Sequence, residues 1–211
     1  MAVRSLRIVV LVIVAFAAGL LLARLIAPSK VEPPQTERAT VFPAPRAVPA
    51  LDLMDQDGNA LGPDFFKGHW TLVFFGFTQC PDVCPTTLAT LAQTVRQLAD
   101  LSDTEQPRVL LVSLDPERDT PDILAPYVRF FDPSFLGARG SLEATAAAAA
   151  AFNLPYAKVP LPEGGYTLDH GSGIFVVGPS GGTEAYLSAP HEAAIIARDY
   201  RKVVAWAENR K

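Results

Sequence analysis

The sequence contains little cysteine or histidine, with two cysteines and three histidines in 211 residues. Two cysteines cannot build the dense disulfide framework of a small secreted domain. Because they are Cys80 and Cys84, a disulfide between them would enclose only three residues. Such a short loop removes little entropy from the unfolded chain, so stabilisation alone is a poor explanation for the pair. The pair is better interpreted as chemically active.

A basic surface is also missing from the main part of the chain. The formal net charge is −4, and residues 1–30 hold four Lys or Arg side chains and no acidic ones. The rest of the chain is therefore more acidic than the total suggests. Nucleic-acid binding depends on clustered Lys and Arg that neutralise phosphates, so the composition argues against that class of function.

The amino-terminal part has the pattern of a membrane anchor. Residues 8–27 contain a single charge, Arg24. Twenty helical residues span roughly 30 Å, the thickness of a bilayer's hydrocarbon core. Arg4 and Arg7 precede this run, which predicts a cytoplasmic segment over 1–7 and an exported carboxyl-terminal part. We expect a single-pass protein of a bacterial inner membrane with its domain in the periplasm; a cleaved signal peptide is the alternative.

The remaining pattern predicts a linker and one domain. Prolines punctuate residues 28–47, which is typical of a semi-rigid tether. Residues 48–208 have globular patterning, with continuous apolar runs at 70–77 and 108–114 that favour buried central strands. Segments with helical periodicity follow these runs. The alternation predicts an α/β fold with a central mixed β-sheet flanked by helices.

The cysteine pair lies just after the first apolar run and just before a predicted helix. Open α/β sheets bind their ligands at this end of the strands. Pro85 fits the first helical position, which would place Cys84 near the cap and Cys80 in the loop. The helix dipole would then lower the pKa of a thiol there. A redox dithiol, a metal clip and two inert buried cysteines all remain open at this point.

The histidines differ in their surroundings. We expect His69, before a strand, and His191, at the start of the last helix, to be structural or exposed. His170 lies in "TLDHGSG", where the following glycines permit close approach of another part of the chain. His170 is therefore the candidate third metal ligand.

Several charged residues accompany these candidates. Asp115, Arg118 and Asp119 follow the second apolar run, and Asp82 lies between the cysteines. Asp115, Arg118 and Asp119 have three possible roles: a solvated turn, a support for the cysteine loop, or a docking surface beside that loop. Asp82 is either an exposed loop residue or a charge that a partner recognises.

Three segments carry a resemblance to a known family. In order, "FGFTQCPDVCPTTL", "VSLDPERDTPDILAPYV" and "LDHGSGIFVVGPSG" resemble the Sco/SenC family, copper chaperones of cytochrome c oxidase assembly with a thioredoxin-like fold. The resemblance covers essentially residues 48–208. It implies that Cys80, Cys84 and His170 bind copper. It also implies two partners, a copper donor protein and the copper-binding subunit of the oxidase. Gly171, after the histidine, departs from the usual pattern.

The chemistry of these donors agrees with that resemblance. Two thiolates and an imidazole suit Cu(I). Cu(II) would want a fourth ligand, for which water, Asp82, Asp115 and Asp169 are candidates. A structural zinc site would prefer four protein ligands, although a catalytic zinc site with these three and water is chemically possible.

Two other functions use the same sulfurs. The main alternative is a thiol–disulfide oxidoreductase that reduces the oxidase's copper-site cysteines, with Cys80 as the attacking thiolate. A thiol peroxidase is a further, less supported alternative.

Overall fold

The structure, a computed structural model, describes residues 11, 13–22 and 32–210. The chain divides into two compact units, 1–32 and 33–211. In the first unit, residues 13–22 form a helix, α1, with exposed side chains. No helix within the described ranges combines the length and apolar character needed to cross a bilayer. The rest of the predicted cytoplasmic segment, anchor and linker lies outside the described residues, at 1–10, 12 and 23–31.

The second unit contains nine strands. Seven form one sheet: β1 (Ala39–Ala47), β2 (Met54–Asp55), β3 (Trp70–Gly76), β4 (Pro107–Ser113), β5 (Leu136–Arg139), β8 (Ile174–Val177) and β9 (Gly182–Leu187). The other two form a separate hairpin: β6 (Tyr156–Pro160) and β7 (Tyr166–His170). The order in the large sheet is β1-β9-β8-β3-β4-β5-β2. Because β3, β4 and β5 are parallel and the other pairs antiparallel, the predicted mixed sheet is confirmed.

Four helices pack with these strands: α2 (Val83–Gln97), α3 (Pro121–Phe131), α4 (Leu142–Ala151) and α5 (Ala193–Asn209). All seven residues of β3 are buried, as expected for a central strand covered on both faces. Helix α2 begins two residues before Pro85, so the predicted start of this helix was wrong. The pyrrolidine is tolerated there because the first four N–H groups of a helix lack intrahelical partners.

The predicted boundary between linker and domain at residue 48 was also wrong. Strand β1 lies within the predicted linker and pairs with β9 at the edge of the large sheet. The buried carboxylate of Asp199 accepts hydrogen bonds from the backbone N–H groups of residues 37–39, which fixes the entry to β1. Prolines suggested a linker, but an edge strand tolerates them because one side needs no ladder hydrogen bonds.

The β6–β7 hairpin carries the candidate histidine. Its register pairs Tyr156 with His170 and Pro160 with Tyr166. The turn contains Gly164 and Gly165, whose φ values of 96° and 78° lie in the region that favours glycine. His170 is therefore the last residue of β7, at the end of the hairpin farthest from its turn.

Candidate metal centre

The two cysteines lie in different surroundings. Cys84, in the first turn of α2, is fully buried, whereas Cys80 in the preceding loop is half-buried. Both are free thiols, and the backbone N–H of Cys84 donates to Cys80 Sγ at 3.4 Å. A Cβ at Gly76 would lie 2.9 Å from Cys84 Sγ, so the end of β3 needs glycine there. The sulfurs thus sit at the carboxyl end of a central strand, as predicted.

His170 reaches the cysteine loop from the hairpin. Its Nε2 lies 4.0 Å from Cys84 Sγ, and its Nδ1 lies 2.9 Å from the carbonyl oxygen of Gly171. A carbonyl oxygen only accepts, so Nδ1 donates and the lone pair of Nε2 faces Cys84. Phe74 and Phe77 pack edge-on to the imidazole, with ring centroids 6.4 and 6.0 Å away. This arrangement fixes the ring in an orientation suited to a metal ligand.

The predicted low pKa is wrong for Cys84. Burial raises the pKa of this thiol above its ordinary value, with smaller contributions from Cys80 and Asp119. Desolvation therefore outweighs the effect of the helix amino terminus. The thiol is neutral at pH 7 in the protein as it stands, and binding a metal ion would release its proton.

Two of the three sequence-predicted ligands, Cys84 and His170, face each other, and the third, Cys80, lies beside Cys84. Typical metal–sulfur and metal–nitrogen bonds of about 2.3 and 2.0 Å are together close to the 4.0 Å between Cys84 Sγ and His170 Nε2, so one ion can contact both. Cys80 lies beside Cys84 through the N–H···S contact. In the part of the chain that the structure describes, no three Cys, His, Asp or Glu residues are already gathered around a metal position. A third bond from Cys80 therefore requires a local change in the cysteine loop.

Asp119 supports the start of the cysteine loop through hydrogen bonds to Thr78. Its buried carboxylate accepts from the backbone N–H of Thr78 at 3.2 Å and from the Thr78 hydroxyl at 2.5 Å. The hydroxyl of Ser113 donates to it at 2.5 Å. Burial raises the pKa of Asp119, while these hydrogen bonds act in the opposite direction. The interpretation of this segment as a solvated turn is therefore wrong.

Asp115 supports the histidine strand in a similar way. It is fully buried and accepts from the Tyr166 hydroxyl at 2.8 Å and from Arg118 Nε. The guanidinium of Arg118 also donates to the Tyr166 carbonyl oxygen at 3.0 Å and stacks 3.9 Å from the centre of its ring. We name Asp115, Arg118 and Tyr166 the Asp115 cluster. Tyr166 was missed in the sequence, where only its position four residues before His170 could have drawn attention to it.

The other predicted candidates are either exposed or bonded to a different part of the chain. Asp82, Asp169 and His69 are exposed. His191 is half-buried, and its Nε2 donates to the carbonyl oxygen of Ser172 at 2.7 Å. It therefore ties the loop after His170 to the start of α5, a role that its sequence neighbours did not indicate.

Comparison with known proteins identifies the relatives of this chain. A sequence model described as SCO1/SenC matches residues 42–205. The chain belongs to the SCO1/SenC family. The mitochondrial SCO2 homolog of Mus musculus is 34% identical over 95% of this chain and 80% of its own length. The chain spans 59% of the corresponding protein of Bos taurus.

Solved SCO1/SenC structures share the fold. The copper-bound ScoI of Arabidopsis thaliana has a TM-score of 0.69 and 27% identity, over 77% of this chain and 98% of its own. The copper-bound ScoI of Bradyrhizobium japonicum has a TM-score of 0.66 and 32% identity, over 74% and 99%. The fold expected from the resemblance is therefore confirmed for the described domain.

Proposed function

We propose that the protein is a membrane-anchored copper chaperone. It binds copper through Cys80, Cys84 and His170 and delivers the ion to the dinuclear copper centre of cytochrome c oxidase. Family membership supports the general role, because SCO1/SenC proteins are associated with copper supply to that oxidase. The ligand set, the delivery step and the anchor are the parts that belong to this proposal.

One observation carries the ligand set. His170 comes from a strand 86 positions away along the chain and presents Nε2 to Cys84 Sγ at 4.0 Å. Its other nitrogen is already used by Gly171, so the nitrogen that faces the sulfur is the one free to bind a metal ion. Packing against Phe74 and Phe77 alone does not require this orientation. In the metal-free protein the neutral Cys84 thiol can donate to the same lone pair, and a metal ion would replace that proton.

The donor set selects copper among common metal ions. Two thiolates and one imidazole form a soft, three-coordinate site that suits Cu(I). A structural zinc site would call for a fourth protein ligand. The two buried carboxylates of the neighbouring loop are already engaged, Asp115 by Arg118 and Tyr166 and Asp119 by Thr78 and Ser113. Transfer then proceeds by ligand exchange, in which a thiolate of the partner replaces a thiolate of the chaperone.

The location follows from the amino-terminal pattern. The apolar run over 8–27 with Arg4 and Arg7 before it supports a single inner-membrane helix and a periplasmic domain. Such a placement puts the metal site on the periplasmic side of the membrane, where exported copper sites are assembled. Fractionation of cells that produce the full-length chain, followed by protease treatment of spheroplasts, tests this: the domain should be membrane-bound and digested.

Copper binding by the purified full-length chain in detergent tests the ligand set. We expect one copper ion per wild-type chain, and His170→Ala should weaken Cu(II) binding by more than about tenfold, since removing even an outer-sphere partner typically costs 10–100-fold. His69→Ala is the matched control, because His69 is exposed. Equal affinity of the wild type and His170→Ala would remove His170 from the site.

A second function is favoured by the asymmetry of the two thiols. Cys80 is half-buried and its sulfur accepts from the N–H of Cys84, while Cys84 is closed off from solvent. This is the arrangement of an attacking and a resolving thiol. In that reaction a partner disulfide accepts two electrons and two protons and becomes two thiols, while Cys80 and Cys84 become a disulfide.

The reductase reaction is tested with a peptide that contains a disulfide between two cysteines of the oxidase copper site. The reduced wild-type chain should convert one peptide disulfide per chain, and Cys80→Ser should convert none. Retention of the peptide disulfide by the wild-type chain would leave copper delivery as the only proposed function.

A further inference from the structure

The hairpin that carries His170 stands apart from the large sheet. Among the described strands, β7 pairs with β6 alone, and the two form a sheet of their own. The backbone hydrogen bonds that fix β3 and α2 therefore do not extend to His170. Its position depends on side-chain contacts along the hairpin. Leu168 of β7 is buried in the core, and Phe74 and Phe77 pack on the imidazole. The Asp115 cluster supplies the polar contacts at the turn end of β7.

Asp115 and Arg118 together contact Tyr166 at three points. The Tyr166 hydroxyl donates to Asp115, its carbonyl oxygen accepts from Arg118, and its ring lies under the Arg118 guanidinium. Arg118 also pairs with the same buried Asp115. Since the ring, the hydroxyl and the backbone of one residue are all held, the direction of β7 is fixed at the residue where the strand begins.

The same short loop also fixes the cysteines. Asp119 is four residues after Asp115, and it accepts from the backbone and the hydroxyl of Thr78, two residues before Cys80. Asp119 N–H donates to the Asp115 carbonyl oxygen at 2.9 Å, which closes the loop on itself. Within residues 115–119, Asp119 therefore holds the start of the cysteine loop, and Asp115 holds the strand that carries His170.

A second ion pair continues this contact along the hairpin. Lys158 of β6 pairs with Glu117 of the same loop, and its ammonium lies 4.5 Å from the Tyr166 ring centre. Both side chains of this pair are more than 40% exposed, so its contribution is small. The buried Asp115 cluster is the stronger connection because its aspartate is shielded from water.

We propose that Arg118 and Tyr166, held by Asp115, are positioning residues that keep His170 within bonding distance of a copper ion on the cysteines. The inference rests on the proposed function, since it assigns a role to the support of the same site. The loop over 115–119 sets the separation between the sulfur and nitrogen donors. When Arg118 and Tyr166 release β7, copper keeps its thiolates and loses its imidazole.

This division predicts a specific effect on affinity. An ion that needs the imidazole binds only the fraction of molecules in which His170 is in place, and its apparent affinity falls by that fraction. Cu(II) needs the harder nitrogen donor, whereas Cu(I) is held mainly by soft thiolates. Loss of the cluster should therefore weaken Cu(II) binding more than Cu(I) binding.

The experiment compares two conservative variants of the full-length chain. Tyr166→Phe keeps the ring and removes only the bond to Asp115. Arg118→Lys keeps the positive charge beside Asp115 and removes the planar fork that reaches the Tyr166 carbonyl oxygen. Each should lower Cu(II) affinity about tenfold and Cu(I) affinity less than threefold, and each should shift the thiolate-to-Cu(II) absorption band and the electron paramagnetic resonance hyperfine splitting toward those of His170→Ala.

Two matched variants separate positioning from general loss of stability. Tyr200→Phe removes a tyrosine hydroxyl that donates to the Glu105 carbonyl oxygen, and Arg129→Lys alters an arginine paired with Asp57. Both should leave the copper spectra unchanged, even where thermal unfolding shifts. Wild-type spectra and affinities in Tyr166→Phe and Arg118→Lys, together with a changed His170→Ala, would overturn the positioning role and keep the ligand set. An unchanged His170→Ala would instead overturn the ligand set itself.

Discussion

The cysteine side and the histidine side of the site are built in different ways. Cys84 belongs to a helix packed on β3, a strand that is buried over its whole length and paired on both edges. His170 ends a two-stranded hairpin that pairs with no strand of the described large sheet. The difference teaches that Cys84 is fixed by the core together with the backbone ladder of the large sheet. Outside its own hairpin, β7 is held by side-chain contacts, namely the burial of Leu168, the rings on His170 and the Asp115 cluster.

This contrast would suit the proposed chaperone, which has both to hold and to release an ion. Donors fixed by close packing keep their geometry whether or not metal is present. A side chain on a hairpin outside the large sheet can be displaced at a lower cost in free energy, because no ladder hydrogen bond to that sheet has to break. Changes confined to one side at a time should therefore reveal whether the other side responds.

The largest effect is expected at Cys84. Cys84→Ser should lower Cu(I) affinity by more than about 100-fold, because a hydroxyl is a poor ligand for a soft ion. Cys80→Ser is the comparison, and it should reduce affinity by a smaller factor, since Cys84 and His170 already face each other. Competition with a chromophoric Cu(I) chelator measures both. A larger loss in Cys80→Ser would show that the outer sulfur, and not the inner one, contributes most to copper affinity.

Gly76→Ala should damage the cysteine side through packing. The added Cβ would lie 2.9 Å from Cys84 Sγ and 3.2 Å from Leu111 Cδ1 in a fully buried strand. Overpacking of this kind typically lowers the free energy of unfolding by about 1–3 kcal/mol. Gly62→Ala is the control, since nothing lies within 4 Å of its Cβ position. Urea titration followed by circular dichroism gives both values, and equal stability of the two variants would contradict the close packing.

Amide hydrogen exchange compares the two sides without mutation. Strand β3 should exchange only on global unfolding, whereas β7 should open locally and exchange at least about tenfold faster, because peripheral elements open at lower free energy. Added copper should slow exchange in β7 and leave β3 unchanged. Equal protection of both strands in the metal-free protein would contradict the contrast between β3 in the large sheet and β7 in the separate hairpin.

The smallest effect concerns pH and His191. Burial lowers the pKa of His191 below its ordinary value of 6.5. Between the folded and unfolded pKa values the unfolded chain binds more protons, so the free energy of unfolding falls as the pH drops through about 6.5. The slope is at most about 1.4 kcal/mol per pH unit for one proton. His191→Gln, which can still donate to Ser172, should flatten the profile, while His69→Gln at an exposed position should not.

The sequence was sufficient where the signal is local. The apolar run of β3 predicted a buried strand, and the position of Cys80 and Cys84 after it predicted a site at the end of the sheet. The glycines after His170 made it a candidate third ligand, and the resemblance to a family was what assigned it to the same site as the cysteines. Nothing in the periodicity of the chain indicates that two segments 86 positions apart meet.

The features that were missed depend on tertiary contacts. Tyr166 and Asp115 are 51 positions apart, and neither has a neighbour pattern that predicts the hydrogen bond between them. Strand β1 resembled a linker because its prolines mask an edge strand that Asp199 holds from a distant helix. The pKa of Cys84 went in the unexpected direction because burial, which a sequence does not report, outweighed the helix terminus.

The unequal exposure of the two sulfurs has a consequence for how copper would leave the proposed chaperone. Of the two cysteines only Cys80 is partly exposed, since Cys84 is fully enclosed. In the proposed chaperone, a small chelator that displaces the Cys80 thiolate would still leave the ion bound to the enclosed Cys84 sulfur. In the proposed chaperone, escape to bulk solution is slow, and completing the hand-over requires a protein surface that docks closely enough to reach the enclosed sulfur.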